Sequence, residues 1–156
     1  MKLLISPEIS QQLIDALSQA GQREIGGILM GEHAGPDIFR VTEITIQRKG
    51  GAFAAFVRMV EEILAPLFAF FDTTKHDYKR FNYMGEWHSH HSFALVPSRR
   101  DHTTMYNMVM DPQLGAHFLL LLLVKSNDHG QLEGSVTVYQ PKKPPFAGSV
   151  IREGSV

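Results

Sequence analysis

The residues best suited to chemistry in this chain stand in one run, from Gly85 to Asp101, which contains Glu86, Trp87, His88, Ser89, His90 and His91 and, after a short interval, Pro97, Ser98 and Asp101. If the lead-in Phe81 to Trp87 is a strand, as its aromatic content suggests, His88 and His90 project from the same face, because strand side chains alternate with period two. Two imidazoles on one face suit a single metal ion. Pro97-Ser98 then reads as a helix start, with Ser98 as N-cap and Asp101 three positions on, ahead of a helix-compatible run from His102 to Met110. That puts Asp101 in the first helical turn, at the end of a short loop leading back from the histidines. Two His and one Asp with an open fourth position form a pattern used by catalytic Zn²⁺, whereas structural zinc sites are closed by four ligands rich in Cys. This chain has no cysteine. Taken singly, a strand histidine is often just packed or solvated, and Ser-x-x-Asp is often an ordinary capping box. The conjunction carries the metal reading.

His-x-His, seven residues, then Ser-x-x-Asp resembles the signature of the JAMM, or MPN-plus, zinc metalloprotease family at every motif position. That family also places a glutamate upstream. The segment Glu24-Ile25-Gly26-Gly27-Ile28-Leu29-Met30-Gly31 resembles its Glu-x-x-Gly-x-Leu-x-Gly strand, with Glu24 at the position of the catalytic acid/base. Read on its own chemistry, the segment is a short apolar strand with glycines where a backbone or ligand could approach closely. A glutamate at its mouth is costly to bury without a partner. One position departs from the pattern: His91 stands where the family usually has proline.

The resemblance implies a mechanism. His88, His90 and Asp101 are expected to hold Zn²⁺, which lowers the pKa of a water at the open position toward ~7. Glu24 is expected to move protons as general acid/base, and Ser98 to donate a hydrogen bond to the developing oxyanion, worth ~3 kcal/mol. The implied reaction is hydrolysis of an amide at the C-terminal Gly-Gly tail of a ubiquitin-like protein or its conjugate. The alternatives are a processing peptidase for a small sulfur-carrier protein and a non-catalytic MPN-type interaction module that keeps the fold but loses the ligands. A RadC-type protein has a similar metal motif, but its His-Asn-His-Pro-Ser-Gly pattern differs from the His88 to Phe93 sequence here. An extended substrate tail is expected to add to a strand edge near the site. Segments Gly50 to Phe56 and Asp72 to Arg80 are the places expected to contact it.

At 156 residues the chain fits one domain with a real core. With 44% hydrophobic and 20% charged residues and a net charge of -1, it is ordinary for a globular protein. Basic residues are scattered, with pairs such as Arg99-Arg100 and Lys142-Lys143, too few for a nucleic-acid footprint. The apolar run Phe118 to Val124 is far short of the ~20 residues that span a bilayer, and Met1 to Ser6 does not read as a signal peptide. A cytoplasmic location is therefore expected, with neither nucleic acid nor membrane as partner.

The chain must position the motif with elements that alternate. A strand from Met1 to Ile5 precedes an amphipathic helix from Pro7 to about Ala20, capped by Ser6 and stopped by Gly21. Strands are expected over Glu24 to Gly31 and Ile38 to Ile46. A second helix follows, roughly Val57 to Phe71, kinked or divided at Pro66 and apolar on more than one side, which offers a dimer face. The motif strand and its helix come next, then strands over His117 to Val124 and Leu132 to Tyr139. The domain is thus expected over residues 1–140, with 141–156 a loosely attached, extended tail. The order βαββαβαββ agrees with an α/β, MPN/JAB-like (cytidine-deaminase-like) fold, a curved mixed β-sheet flanked by helices.

Overall fold

The computed structural model describes residues 1–47, 60–90 and 94–154, with side chains of the second helix from Leu64 onward. Strand β1 (Lys2–Ile5) leads into helix α1 (Pro7–Ala20). Ser6 caps this helix by accepting the Ile9 N–H at 3.2 Å, and Ile9, Leu13, Ala16, Leu17 and Ala20 form its buried stripe. Strand β2 (Gly26–Gly35) begins two residues later than expected and runs on to a two-residue turn at Pro36-Asp37, where Asp37 takes a positive φ of 54°. It pairs antiparallel with β3 (Ile38–Ile44).

Helix α2 (Val60–Thr73) runs unbroken through Pro66, so the expected division there does not occur; residues 57–59 lie outside the described residues. Phe70 packs against Ile28 and Met30, while Leu64 and Phe68 face solvent. The motif strand β4 (Phe81–Ser89) is followed by α3 (Arg99–Val109), which starts directly after its cap Ser98, as expected. Strands β5 (Leu119–Ser126) and β6 (Leu132–Tyr139) complete the expected order βαββαβαββ.

The stretch after Gln140 is extended but not loosely attached. Two further strands, β7 (Phe146–Ala147) and β8 (Ser149–Arg152), join opposite ends of the sheet. β7 pairs antiparallel with β6, and β8 pairs parallel with β1. Between them Gly148 donates its N–H to Val136 at 2.9 Å, and Ser149 donates to Met1 at 3.1 Å. One short segment thus passes from one end strand to the other, leaving a curved, nearly closed mixed sheet in the order β7-β6-β5-β4-β2-β3-β1-β8. The prolines at 141, 144 and 145 announce a broken chain, but they carry no information about where an extended segment beyond them will pair. Glu153, just past β8, forms an ion pair with Arg40 at 2.8 Å, and Arg40 and Arg80 both bond Glu32.

The two faces of the sheet hold separate cores. On one, α1 packs on Leu3, Ile5, Val41, Trp87, Leu120, Leu122 and Val124. On the other, Met105 and Val109 of α3 cover Leu119, Leu121, Leu123 and Tyr139. β4 lies centrally, antiparallel to β2 and parallel to β5. This is a mixed α/β architecture with helices on both faces.

Candidate metal centre

A bulge in β4 sets the face on which the motif appears. Leu29 pairs with Gly85 and Met30 with Tyr83, so Met84 is the extra residue. Gly85 sits at φ 137°, a backbone region that side chains rarely enter, and a Cβ there would fall 2.0 Å from the Leu120 carbonyl oxygen. Beyond the bulge, strict alternation resumes. Trp87 points into the α1 core and donates its indole N–H to the Thr45 carbonyl at 2.9 Å; Glu86 and His88 point to the opposite face, toward α3. His90 lies just past the strand, and its N–H follows β5 by bonding the Val124 carbonyl at 2.9 Å.

Helix α3 brings the third donor. Ser98 Oγ accepts the Asp101 N–H at 3.1 Å, and Asp101 Oδ2 accepts the Ser98 N–H at 2.7 Å, a complete capping box that buries the Asp101 carboxylate. Its other oxygen, Oδ1, stands 3.7 Å from His88 Nε2, and His88 Nε2 stands 3.2 Å from His90 Nε2. One donor atom from each of the three residues falls within 4.8 Å of the others. Metal–ligand bonds of ~2.0–2.1 Å in tetrahedral geometry place ligand atoms about 3.3 Å apart, so these spacings fit a divalent cation held by two imidazoles and a carboxylate. The outer nitrogen of His90, Nδ1, is 3.2 Å from the Ala94 carbonyl; donating its N–H there leaves the Nε2 lone pair free for a metal. Burial, opposed in part by the nearby Asp101 carboxylate, pushes the His88 pKa down and keeps that ring neutral, the form that ligates.

Glu24 and Ser98 occupy different positions relative to this cluster. Glu24 is exposed, just before β2. Gly26 pairs with His88 and Ile25 bonds Ser89, so Glu24 enters the sheet two residues ahead of the pair that carries the first histidine. Ser98 is exposed at the helix start, its oxygen engaged as the cap. His102 turns inward so that Nδ1 meets the Tyr139 hydroxyl at 2.9 Å, tying α3 to β6. His91 and segment Gly50 to Phe56 lie outside the described residues. Because β4 is flanked by β2 and β5, the strand that carries the histidines offers no open edge for an added peptide.

Glu86 is the group that motif reasoning left without a role. It is 2% exposed, between Ile28 and Leu121 in register, and its Oε1 has no hydrogen-bond partner among the described residues. Burial pushes its pKa up to about 8, so the carboxyl is held largely neutral. The Tyr83 hydroxyl, also buried and without a partner among the described residues, is raised by burial and then by the nearby Glu86. The signal available in the sequence was a glutamate at an inward position of an otherwise apolar central strand.

The sequence matches the family model described as prokaryotic homologs of the JAB domain over residues 6–133. The chain belongs to this JAB-domain family. Among solved structures, this JAB domain is similar to a protein from Desulfitobacterium hafniense determined in solution, with a TM-score of 0.64 at 14% identity over 99% of this chain and 94% of that one. That likeness shows a shared fold. A crystal structure of a JAB1/MPN domain protein from Archaeoglobus fulgidus aligns with a TM-score of 0.47 at 16% identity, covering 97% of this chain and 99% of that one. No curated protein matches the sequence. Among the described residues, no helix of this JAB domain is long and apolar enough to cross a membrane.

Proposed function

We propose that this JAB domain is a JAMM-type zinc-dependent peptidase that hydrolyses an amide bond at the C-terminal Gly-Gly tail of a ubiquitin-like protein or its conjugate. The observation that carries the reading is the cluster itself: His88, His90 and Asp101 present one donor atom each within 4.8 Å, and no fourth His, Asp or Glu joins them among the described residues. Three protein ligands are the complement of a catalytic site, not a structural one. Two imidazoles and a carboxylate suit a divalent transition-metal cation, Zn²⁺ among them. A cation held there supplies a water acidic enough to attack at neutral pH and a Lewis acid for the substrate carbonyl.

The chain's own groups then have separate tasks. Glu24, exposed and two residues ahead of the Gly26–His88 pair, takes a proton from the attacking water and returns it to the leaving amine. The Ser98 oxygen already accepts from the Asp101 N–H, which leaves its own hydroxyl proton free to donate to the developing oxyanion. The buried Asp101 carboxylate is held by the Ser98 N–H, so its second oxygen stays aimed at His88. Trimming of a small sulfur-carrier protein would use the same groups, and only the substrate separates the two reactions. A non-catalytic interaction module predicts a broken ligand set, which is not the arrangement of these three residues.

The test is zinc content together with cleavage of a ubiquitin-like protein extended past its Gly-Gly, for wild type, Glu24→Gln and the His88→Ala, His90→Ala double variant. About one zinc per chain in wild type and Glu24→Gln, none in the double variant, and cleavage slower than wild type by ~100-fold or more in both variants support the proposal. A wild-type protein that takes up no zinc after reconstitution overturns it.

A further inference from the structure

We propose that Ser89, the residue between the two histidine ligands, is a positioning residue that holds Glu24 beside the metal centre through the Ile25 backbone. The inference rests on the reading of Glu24 as the proton-transfer group and adds the means by which that group is kept in place.

The last regular pair of the β2–β4 ladder is Gly26 with His88. One step further, Ser89 faces Ile25, and an ordinary antiparallel pair at that point would exchange two backbone bonds. Only one is made in the ordinary way, from the Ser89 N–H to the Ile25 carbonyl at 2.9 Å. The return bond, from the Ile25 N–H, goes to the Ser89 hydroxyl oxygen at 3.0 Å. The side chain has replaced the carbonyl because the two strands part here: His90 follows β5 through its bond to Val124, while the chain before Ile25 turns away toward α1. At the fork, Ser89 bonds both backbone groups of Ile25.

Glu24 is the next residue. The Ile25 side chain is 1% exposed in the α1 core, so its backbone is fixed from below by packing and from the side by Ser89. With Ile25 held at three points, the chain that delivers Glu24 is anchored one residue before the Gly26–His88 pair. Ser89 is itself 1% exposed and its oxygen is occupied by an N–H, which suits a clamp and not a nucleophile. Without the hydroxyl, Ile25 has a buried N–H with no acceptor, and the segment ending at Glu24 is free to peel from β4.

The experiment compares wild type, Ser89→Ala and Ser89→Thr, each also combined with Glu24→Gln. In the metal-free chain, amide exchange at Ile25 is expected to rise tenfold or more in Ser89→Ala and to return to the wild-type rate in Ser89→Thr, which keeps the hydroxyl. In the zinc-loaded protein, Ser89→Ala should keep its zinc affinity within threefold and its KM within twofold while kcat falls 10- to 100-fold. In the Glu24→Gln background, Ser89→Ala should cost less than a further twofold. The proposal is overturned by wild-type exchange at Ile25 in Ser89→Ala, by a kcat loss that tracks zinc loss, or by the same loss with and without Glu24. A wild-type protein that binds no zinc and cleaves nothing overturns the peptidase reading instead, and the exchange rate at Ile25 still decides whether Ser89 holds the segment.

Discussion

Asp101 divides its carboxylate between Ser98 and His88: Oδ2 accepts the Ser98 backbone N–H at 2.7 Å, and Oδ1 stands 3.7 Å from His88 Nε2. The same side chain therefore closes the helix start and completes the donor set. Asp101→Asn separates the two roles, since an amide keeps the shape and the capping oxygen but loses the charge a cation needs. Its zinc affinity should fall by about 100-fold or more, with stability lowered by only ~1 kcal/mol, read by metal titration and thermal unfolding.

Ser98→Ala tests the other partner. Alanine retains the backbone N–H that holds Asp101 Oδ2 and removes the hydroxyl that accepts from the Asp101 N–H. Loss of the cap should cost ~1 kcal/mol, and zinc affinity should stay within about threefold of wild type. If the hydroxyl also donates to the oxyanion, kcat falls by ~10²-fold. A stability loss with unchanged kcat would leave Ser98 as a cap only.

Much of this was legible because it is local. The parity of His88 and His90, the Ser98 cap and the burial of Trp87 on the face opposite His88 all follow from period-two alternation and helix-start chemistry. The capping box and the metal ligand looked like competing readings of Asp101, but the carboxylate that closes the box also stands with the two histidines, so the readings are compatible. What could not be read is non-local. Gly148 joins the sheet's ends through residues more than a hundred positions apart, and nothing in a proline-rich stretch encodes that pairing. Glu86 was visible as a residue, but the burial that raises its carboxyl pKa depends on Ile28 and Leu121 arriving on either side.

The Glu32 cluster gives a pH dependence away from the metal centre. Burial by itself would raise the Glu32 pKa, but hydrogen bonds from Arg40 and Arg80 outweigh it and leave the carboxyl below its usual value. A depressed folded-state pKa adds stability above the unfolded value near 4.5, and that stability is lost as the pH falls through the folded value. Glu32→Gln should therefore lower stability by about 1–2 kcal/mol at pH 7. The gap between the two proteins should close as the solution is acidified below pH ~4.5. Denaturant unfolding at several pH values measures it, and a gap that stays constant would show that Glu32 gains nothing from its arginines.

Gly85 links fold to site more directly than any ligand. Its φ of 137° and a Cβ position only 2.0 Å from the Leu120 carbonyl oxygen leave no room for a methyl group. Gly85→Ala should strain the bulge and push β4 from β5, with a stability loss of about 3 kcal/mol or more. Because the bulge sets the parity of His88, zinc affinity should fall as well, though no ligand has been changed. Equal affinity in a folded Gly85→Ala protein would show that the donor set does not depend on the bulge.

Gly148 tests whether the final segment closes the sheet or only lies against it. A Cβ there would stand 2.9 Å from Val136 Cγ1 and 3.1 Å from the Met1 carbonyl oxygen, pressing on β6 and β1 at once. Gly148→Val should break the handover between them and cost ~2 kcal/mol or more. The damage should be confined. Amides of β8 and of β1 at the sheet's end lose protection, while those of β4 and β5, paired on both sides in the middle of the sheet, exchange as in wild type. Zinc affinity, set by β4 and α3, should not change. Loss of protection throughout β4 and β5 would instead mean that the sheet stands or falls with its closure, and that the metal centre depends on a segment on the far side of the fold.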